Sequence, residues 1–174
     1  MKIMTKKINL KITIEETVER HPVPVLGTDY KVKIIYKNVR FAELDVEDKL
    51  IKISLPNKYK KENNEKILDI AIEKMYEQIA RVEVERAMEK MRILLGFAPE
   101  DYEIKKIKNA LGKCENKKIT INPEVVKYNR NTIDYIVLHQ YCHLKYKTHS
   151  KGFMKMLKEY EPNFQKYEEI ILNK

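Results

Sequence analysis

Residues Asn131 to His149 read NTIDYIVLHQYCHLKYKTH, and three of the chain's four histidines fall in the last eleven positions of that stretch. His139 and His143 are four apart, and His149 follows six later. On a helix, positions i and i+4 lie one turn apart on the same face, so both imidazoles point the same way. The apolar lead-in Ile133–Leu138 buries that helix, where an unpartnered imidazole is costly. A helical pair of histidines without a metal is the plainer reading. The third histidine favours a cage for one Zn2+, because catalytic zinc keeps three protein ligands and leaves a fourth position open to water. On this reading His139 and His143 ligate from the helix and His149 ligates from beyond its end.

The spacing is that of the zincin motif HExxH, with one departure. The motif carries Glu after its first histidine, because a carboxylate can take a proton from the attacking water. This chain carries Gln140 there. An amide can hydrogen-bond to that water, but it cannot accept its proton at neutral pH. The distance from His143 to His149 also equals that of HExxHxxGxxH. That motif needs Gly at its turn, and Tyr146 occupies the position here. A carboxylate third ligand from Glu159, Glu168 or Glu169 is a further alternative.

A chain of 174 residues is long enough to bury a real core as one domain, or as one domain with an extension. Four Gly and six Pro leave little room for collagen-like or low-complexity segments. The two cysteines, Cys114 and Cys142, form no CxxC pair, which argues against a disulfide scaffold. No signal-peptide-like run opens the chain and no window has 18 apolar residues, so a cytoplasmic protein with no membrane span is expected. The net charge of +9 admits nucleic acid as a partner. Its lysines are interleaved with glutamates, however, and suit a solvated surface equally well. Salt-sensitive retention on DNA would separate the two.

The periodicity predicts an α+β fold: N-terminal antiparallel strands, a long helix, short strands, then a zincin-type metal helix and C-terminal helices. Alternation marks strands at 8–14, Tyr30–Tyr36, 39–45 and Lys49–Leu55, read together as an antiparallel meander. Pro22, Pro24 and Gly27 suggest a loop, with His21 exposed in it. From Asn63 or Asn64, as N-cap, to Gly96, as stop, apolar residues follow a helical spacing, in one helix or in two with a bend. These include Ile67, Ile70, Met75, Val82, Met88 and Leu94. Residues 102–110 suggest a strand, Gly112 and Glu115–Lys118 a turn, and Lys118–Asn122 another strand. Asn131, with Asp134, is the expected cap of the metal helix. Ser150 is expected to cap a further helix, Pro162 to end it, and Tyr167–Leu172 to form a last one. A β-rich segment, 1–60, and a zincin-like part, 61–174, are expected to pack as one unit.

From Tyr102 to Phe164 the chain resembles the YgjP-like zinc metallopeptidases, relatives of the SprT-like and minimal gluzincin-type proteins. The resemblance is carried by KNALGKCENKKITINPEVV and by DYIVLHQYCHLKYKTHSKGFMKMLKEYEPNF. It implies that His139, His143 and His149 are the zinc ligands and that Gln140 stands at the general-base position. It also implies that an edge strand pairs with an extended peptide or protein substrate, for which Ile119, Thr120, Ile121 and Asn122 are the candidates. Cys114 and Asn122 match the family's turn cysteine and strand-end asparagine. The family tryptophans are absent, with Leu111 and Met154 near their places, and Tyr141 replaces a small aliphatic residue.

Gln140 admits three readings: natural loss of the base, a deliberately inactivated variant, or proton transfer by another group. The chain therefore reads as a zinc metallopeptidase-like protein with impaired or absent hydrolysis. A non-catalytic zinc-containing module that binds a peptide or a DNA-associated partner is the alternative.

Overall fold

In a computed structural model, which describes residues 14–16, 21–61 and 64–173, the chain opens with two short strands, β1 (Ile14–Glu16) and β2 (Val23–Val25). Apart from Ile14, the strand expected over 8–14 lies outside the described residues. The next strands are β3 (Thr28–Lys37), β4 (Glu43–Glu47) and β5 (Leu50–Pro56). Alternation decides what they bury. Val32, Ile34 and Tyr36 of β3 and Ile51, Ile53 and Leu55 of β5 enter the core, because successive strand side chains point to opposite faces.

These strands do not form a meander. β3 and β5 pair in parallel, while the pairs β1–β3, β2–β3 and β4–β5 are antiparallel. The chain leaves β3, lays β4 one position beyond, and returns β5 into the gap, giving the order β1-β3-β5-β4. Burial alternates alike in parallel and antiparallel pairs, so the pattern cannot tell them apart. The expected loop around Pro22 and Pro24 is in fact strand β2. Among the described residues it pairs only with β3, and an edge position tolerates the missing proline N–H. His21 is exposed, as expected.

After a 3-10 turn at Asn57–Lys61 comes one continuous helix, α1 (Asn64–Leu95). Asn63 lies outside the described residues, as does the Asn64 side chain. The expected stop is present: Gly96 has φ +74° and its N–H donates to Arg92 O at 3.0 Å. The buried face runs through Leu68, Ile72, Met75, Tyr76, Ala80, Val84, Ala87, Met88 and Met91. Ile70, Val82 and Leu94, which also fit a helical period, lie exposed off that face.

A second, three-stranded sheet follows: β6 (Asp101–Ile104), β7 (Gly112–Glu115) and β8 (Lys118–Ile121). It repeats the topology of the first, with β8 inserted between β6, parallel to it, and β7, antiparallel. The strand expected over 102–110 stops at Ile104, and Gly112, expected in a turn, begins β7. The turn itself is Asn116–Lys117, with φ 47° and 62°. Leu26–Gly27 and Asp48–Lys49 have the same double positive φ, the two-residue hairpin geometry that matches strand twist.

A 3-10 turn at Pro123–Lys127 leads into α2 (Arg130–Lys145), which is followed by α3 (Lys151–Tyr160) and α4 (Gln165–Leu172). Helix α2 packs against α1, β7, β8, α3 and α4, and ten of its sixteen residues are buried. Its cap is Asn129, whose side chain accepts from Thr132 N at 2.9 Å; the expected cap, Asn131, is exposed. Asp134 instead faces α1, where Lys90 Nζ lies 2.6 Å and Arg86 Nη2 2.7 Å away. Ser150 caps α3 as expected, accepting from Phe153 N.

One buried carboxylate ties α1 to the start of α2. Glu83 accepts from Arg130 Nη2 at 2.7 Å and from Arg86 Nε at 3.0 Å. The Arg130 guanidinium, aided by Arg86, holds its carboxyl below the ordinary 4.5. A depressed carboxylate stabilises the fold fully above that ordinary value and less as pH falls through the folded one. Glu83→Gln is therefore expected to destabilise the chain by about 3 kcal/mol at neutral pH. The difference from the parent chain should shrink below about pH 4. Chemical denaturation across pH 3–7 checks both.

Candidate metal centre

The last two turns of α2 carry His139 and His143, half-buried, on one face. The helix then ends, and Tyr146 N bonds back to Cys142 O at 2.9 Å. Residues Tyr146–His149 turn the chain, and Ser150 starts α3, so His149 is carried back over the helix end. The turn packs tightly: a Cβ on Gly152 would lie 2.5 Å from the Tyr146 ring, which would have to shift to admit it.

Three ring nitrogens converge. His149 Nε2 is 3.1 Å from His139 Nε2 and 3.2 Å from His143 Nε2. Tetrahedral zinc, with Zn–N bonds of about 2.0–2.1 Å, separates its nitrogen ligands by about 3.3 Å. The spacing therefore suits a single small ion, and the donor set is one that zinc, nickel or copper accepts. His143 Nδ1 lies 3.0 Å from Tyr146 O. A carbonyl can only accept, so Nδ1 carries the proton and leaves the Nε2 lone pair for a ligand. His139 Nδ1 faces Tyr135 Oη at 3.5 Å. Burial, followed by the neighbouring His143 and His149, pushes the His139 pKa down to about 4, so the ring is neutral at pH 7. A neutral ring is the form that ligates.

Phe153 of α3 forms the floor. Its ring centroid lies 5.0, 4.7 and 4.6 Å from those of His139, His143 and His149. Phe153 carries no ligating atom, so nothing in its residue type marks it as part of the site. No carboxylate joins the three nitrogens among the described residues. Glu168 instead accepts from Tyr135 Oη at 3.1 Å, and Glu159 lies by Tyr146, Gly152 and Tyr160. Cys142 is fully buried, with its thiol pushed up to about 11 by burial, so it is a core residue of α2.

Beside the histidines lies a cleft of about 910 Å³, lined by Leu111, Gly112, Tyr135, His139, Gln140 and Glu168 among others. Gln140 is 7% exposed and its side chain lies against Gly112 at the start of β7. The four residues expected on an edge strand are placed differently. Strand β8 is central, with β6 on one side and β7 on the other, so its backbone is already paired. Ile119 and Ile121 are fully buried, and Thr120 Oγ1 donates to Glu103 at 3.3 Å. The Asn122 amide donates to Ile107 O and Ala110 O, both at 2.9 Å, and its oxygen accepts from Glu124 N. Asn122 itself lines the cleft and holds its rim at 107–110. The edge strand on the cleft side is β7. Each strand looks amphipathic by itself, and only pairing order tells centre from edge.

A Cβ at position 112 would lie 2.9 Å from Gln140 Cγ and Nε2. Gly112→Ala is therefore expected to displace Gln140 and cost about 1–3 kcal/mol. In a Gln140→Ala background that penalty should vanish, which a double-mutant denaturation cycle measures.

Among solved structures, the chain is similar to the metallopeptidase zymogen abylysin of Pyrococcus abyssi. The two share 25% identity, and the match covers 52% of this chain and 92% of abylysin at a TM-score of 0.47. The metallopeptidase zymogen jannalysin of Methanocaldococcus jannaschii is 23% identical over 52% of this chain and 88% of its own, also at 0.47. No curated protein matches the chain. The family profile described as YgjP-like, metallopeptidase domain, matches residues 2–174, nearly the whole sequence. The chain belongs to the YgjP-like metallopeptidase family.

Proposed function

We propose that this chain holds one Zn2+ through His139, His143 and His149 and receives an extended peptide in the cleft beside β7. The observation that carries the reading is the approach of three imidazole Nε2 atoms to within 3.1 and 3.2 Å. When bound, zinc supplies Lewis-acid polarisation of a scissile carbonyl and lowers the pKa of water. The protein's part is orientation. The carbonyl of Tyr146 keeps His143 in the ligating tautomer. Phe153 packs against all three rings and limits their movement. Among the described residues β7 ends its sheet, and its outer edge offers backbone groups to a peptide running alongside it, the β-augmentation mode of recognition.

Gln140 occupies the place from which a carboxylate would take a proton. Its amide can hold a water by hydrogen bonding and cannot remove that proton. We infer that peptide hydrolysis by this chain is strongly impaired. The same residue favours a second reading, a peptide-binding module that retains its metal without turnover. Both share the cage and differ only in rate.

Elemental mass spectrometry of the purified protein should find one zinc per chain, and His149→Ala should lose or weaken it. A metal-free parent chain that stays so after zinc is added would defeat the proposal. Gln140→Glu is expected to raise peptide hydrolysis by about 100- to 10,000-fold, the usual worth of a positioned general base. Equal turnover by the two forms would show that another group moves the proton.

A further inference from the structure

We propose that Tyr135 and Glu168 are positioning residues for the ligand His139, forming a relay from carboxylate through phenol to imidazole that ends on the C-terminal helix. The inference rests on the metal-binding reading and concerns residues outside the three-histidine set. Metal-bound histidines almost always give their second ring N–H to an oxygen, which sets both the tautomer and the angle of the ring. His143 does so to the Tyr146 carbonyl, a contact made by the helix end itself. For His139, the backbone of a continuing helix offers no such oxygen, because the neighbouring carbonyls are used within α2.

Tyr135 stands one turn before His139 on the same face. Its ring is set edge-on to the imidazole, with centroids 6.0 Å apart, and stacks on Tyr167 of α4 at 5.2 Å and 16°. Stacking and burial, at 4% exposure, leave the phenol little freedom. Its hydroxyl donates its single proton to Glu168 Oε1 at 3.1 Å. With that proton committed, the oxygen can only accept from His139. The Oη···Nδ1 separation is 3.5 Å, the outer limit for a hydrogen bond. The relay therefore selects the tautomer with hydrogen on Nδ1 and a bare Nε2. That Nε2 is the nitrogen that meets His149. Glu168 and Tyr167 both belong to α4, so the last helix of the chain takes part in holding a ligand carried by α2.

Zinc and cobalt(II) competition titrations of the parent chain, Tyr135→Phe, Glu168→Ala and the double variant test the relay. Each single variant should bind about 10- to 100-fold more weakly, the usual loss when such an outer partner is removed. The double variant should be no weaker than Tyr135→Phe, because the relay is already broken at its first link. Single variants that bind like the parent chain, or losses that multiply in the double variant, would overturn the inference. A parent chain that binds neither metal would defeat the function proposed above. The relay would still be read from nitrogen-15 spectra of the metal-free protein. There His139 should carry its proton on Nδ1 and should lose that preference in Tyr135→Phe. An unchanged tautomer, the result that a purely structural role for Tyr135 predicts, would refute the relay.

Discussion

The structure depends on burying a helix nearly all round. Helix α2 has α1 on one side, the β7–β8 hairpin on another and α3 and α4 beyond. Its middle, Ile133–Leu138, is buried residue by residue. A helix so enclosed cannot roll or slide without opening a cavity, and cavities cost several kcal/mol for each large side chain displaced. Its two histidines therefore inherit a fixed position from the core. Polar groups on its flanks also reach α1. Asp134 meets Arg86 and Lys90 of α1, and Tyr141 Oη donates to Met88 O at 3.0 Å. Each bond joins α2 to the long helix at a different height and sets its register.

The candidate site follows from that rigidity. Three nitrogens are brought close enough to repel unless a proton or a cation lies between them. Burial keeps His139 neutral, the protonation state a metal requires. The residues that set this geometry are mostly unable to react. Phe153 is a floor, Gly112 and Gly152 make room, and Asn122 braces the rim. On the function proposed above, the reacting group would come from position 140. There the side chain present can bind a water and cannot deprotonate it.

Much of this could be read from residue order. Apolar spacing marked α1 and its end at Gly96, and alternation marked β3, β5 and β8. The three histidines marked themselves by position, since i and i+4 share a face whatever surrounds them. What escaped has a common cause. Parallel pairing of β3 with β5, the central place of β8 and the edge place of β7 are facts about which strand lies beside which. Alternation is the same in every case. The cap of α2 fell on Asn129 and not Asn131 because both residues suit a cap, and the packing of the helix selects between them. Ile70, Val82 and Leu94 fit the helical period of α1 yet lie outside its buried face, which depends on what α1 packs against.

The amino-acid sequence by itself determined the chemistry available here. It supplies three imidazoles at ligating intervals, an amide where a base would stand, and a hydrophobic pattern that puts them on a buried helix. These are local properties, set by residue type and by the fixed geometry of a helical turn. Tertiary structure alone decided which atoms meet. It turned the chain at Tyr146 so that His149 reaches the other two, and it placed Phe153 beneath them. It left β7 and not β8 at the sheet edge, and brought Glu168 to Tyr135 across 33 residues. Contacts between distant segments depend on how whole elements pack, and no interval along the chain encodes that.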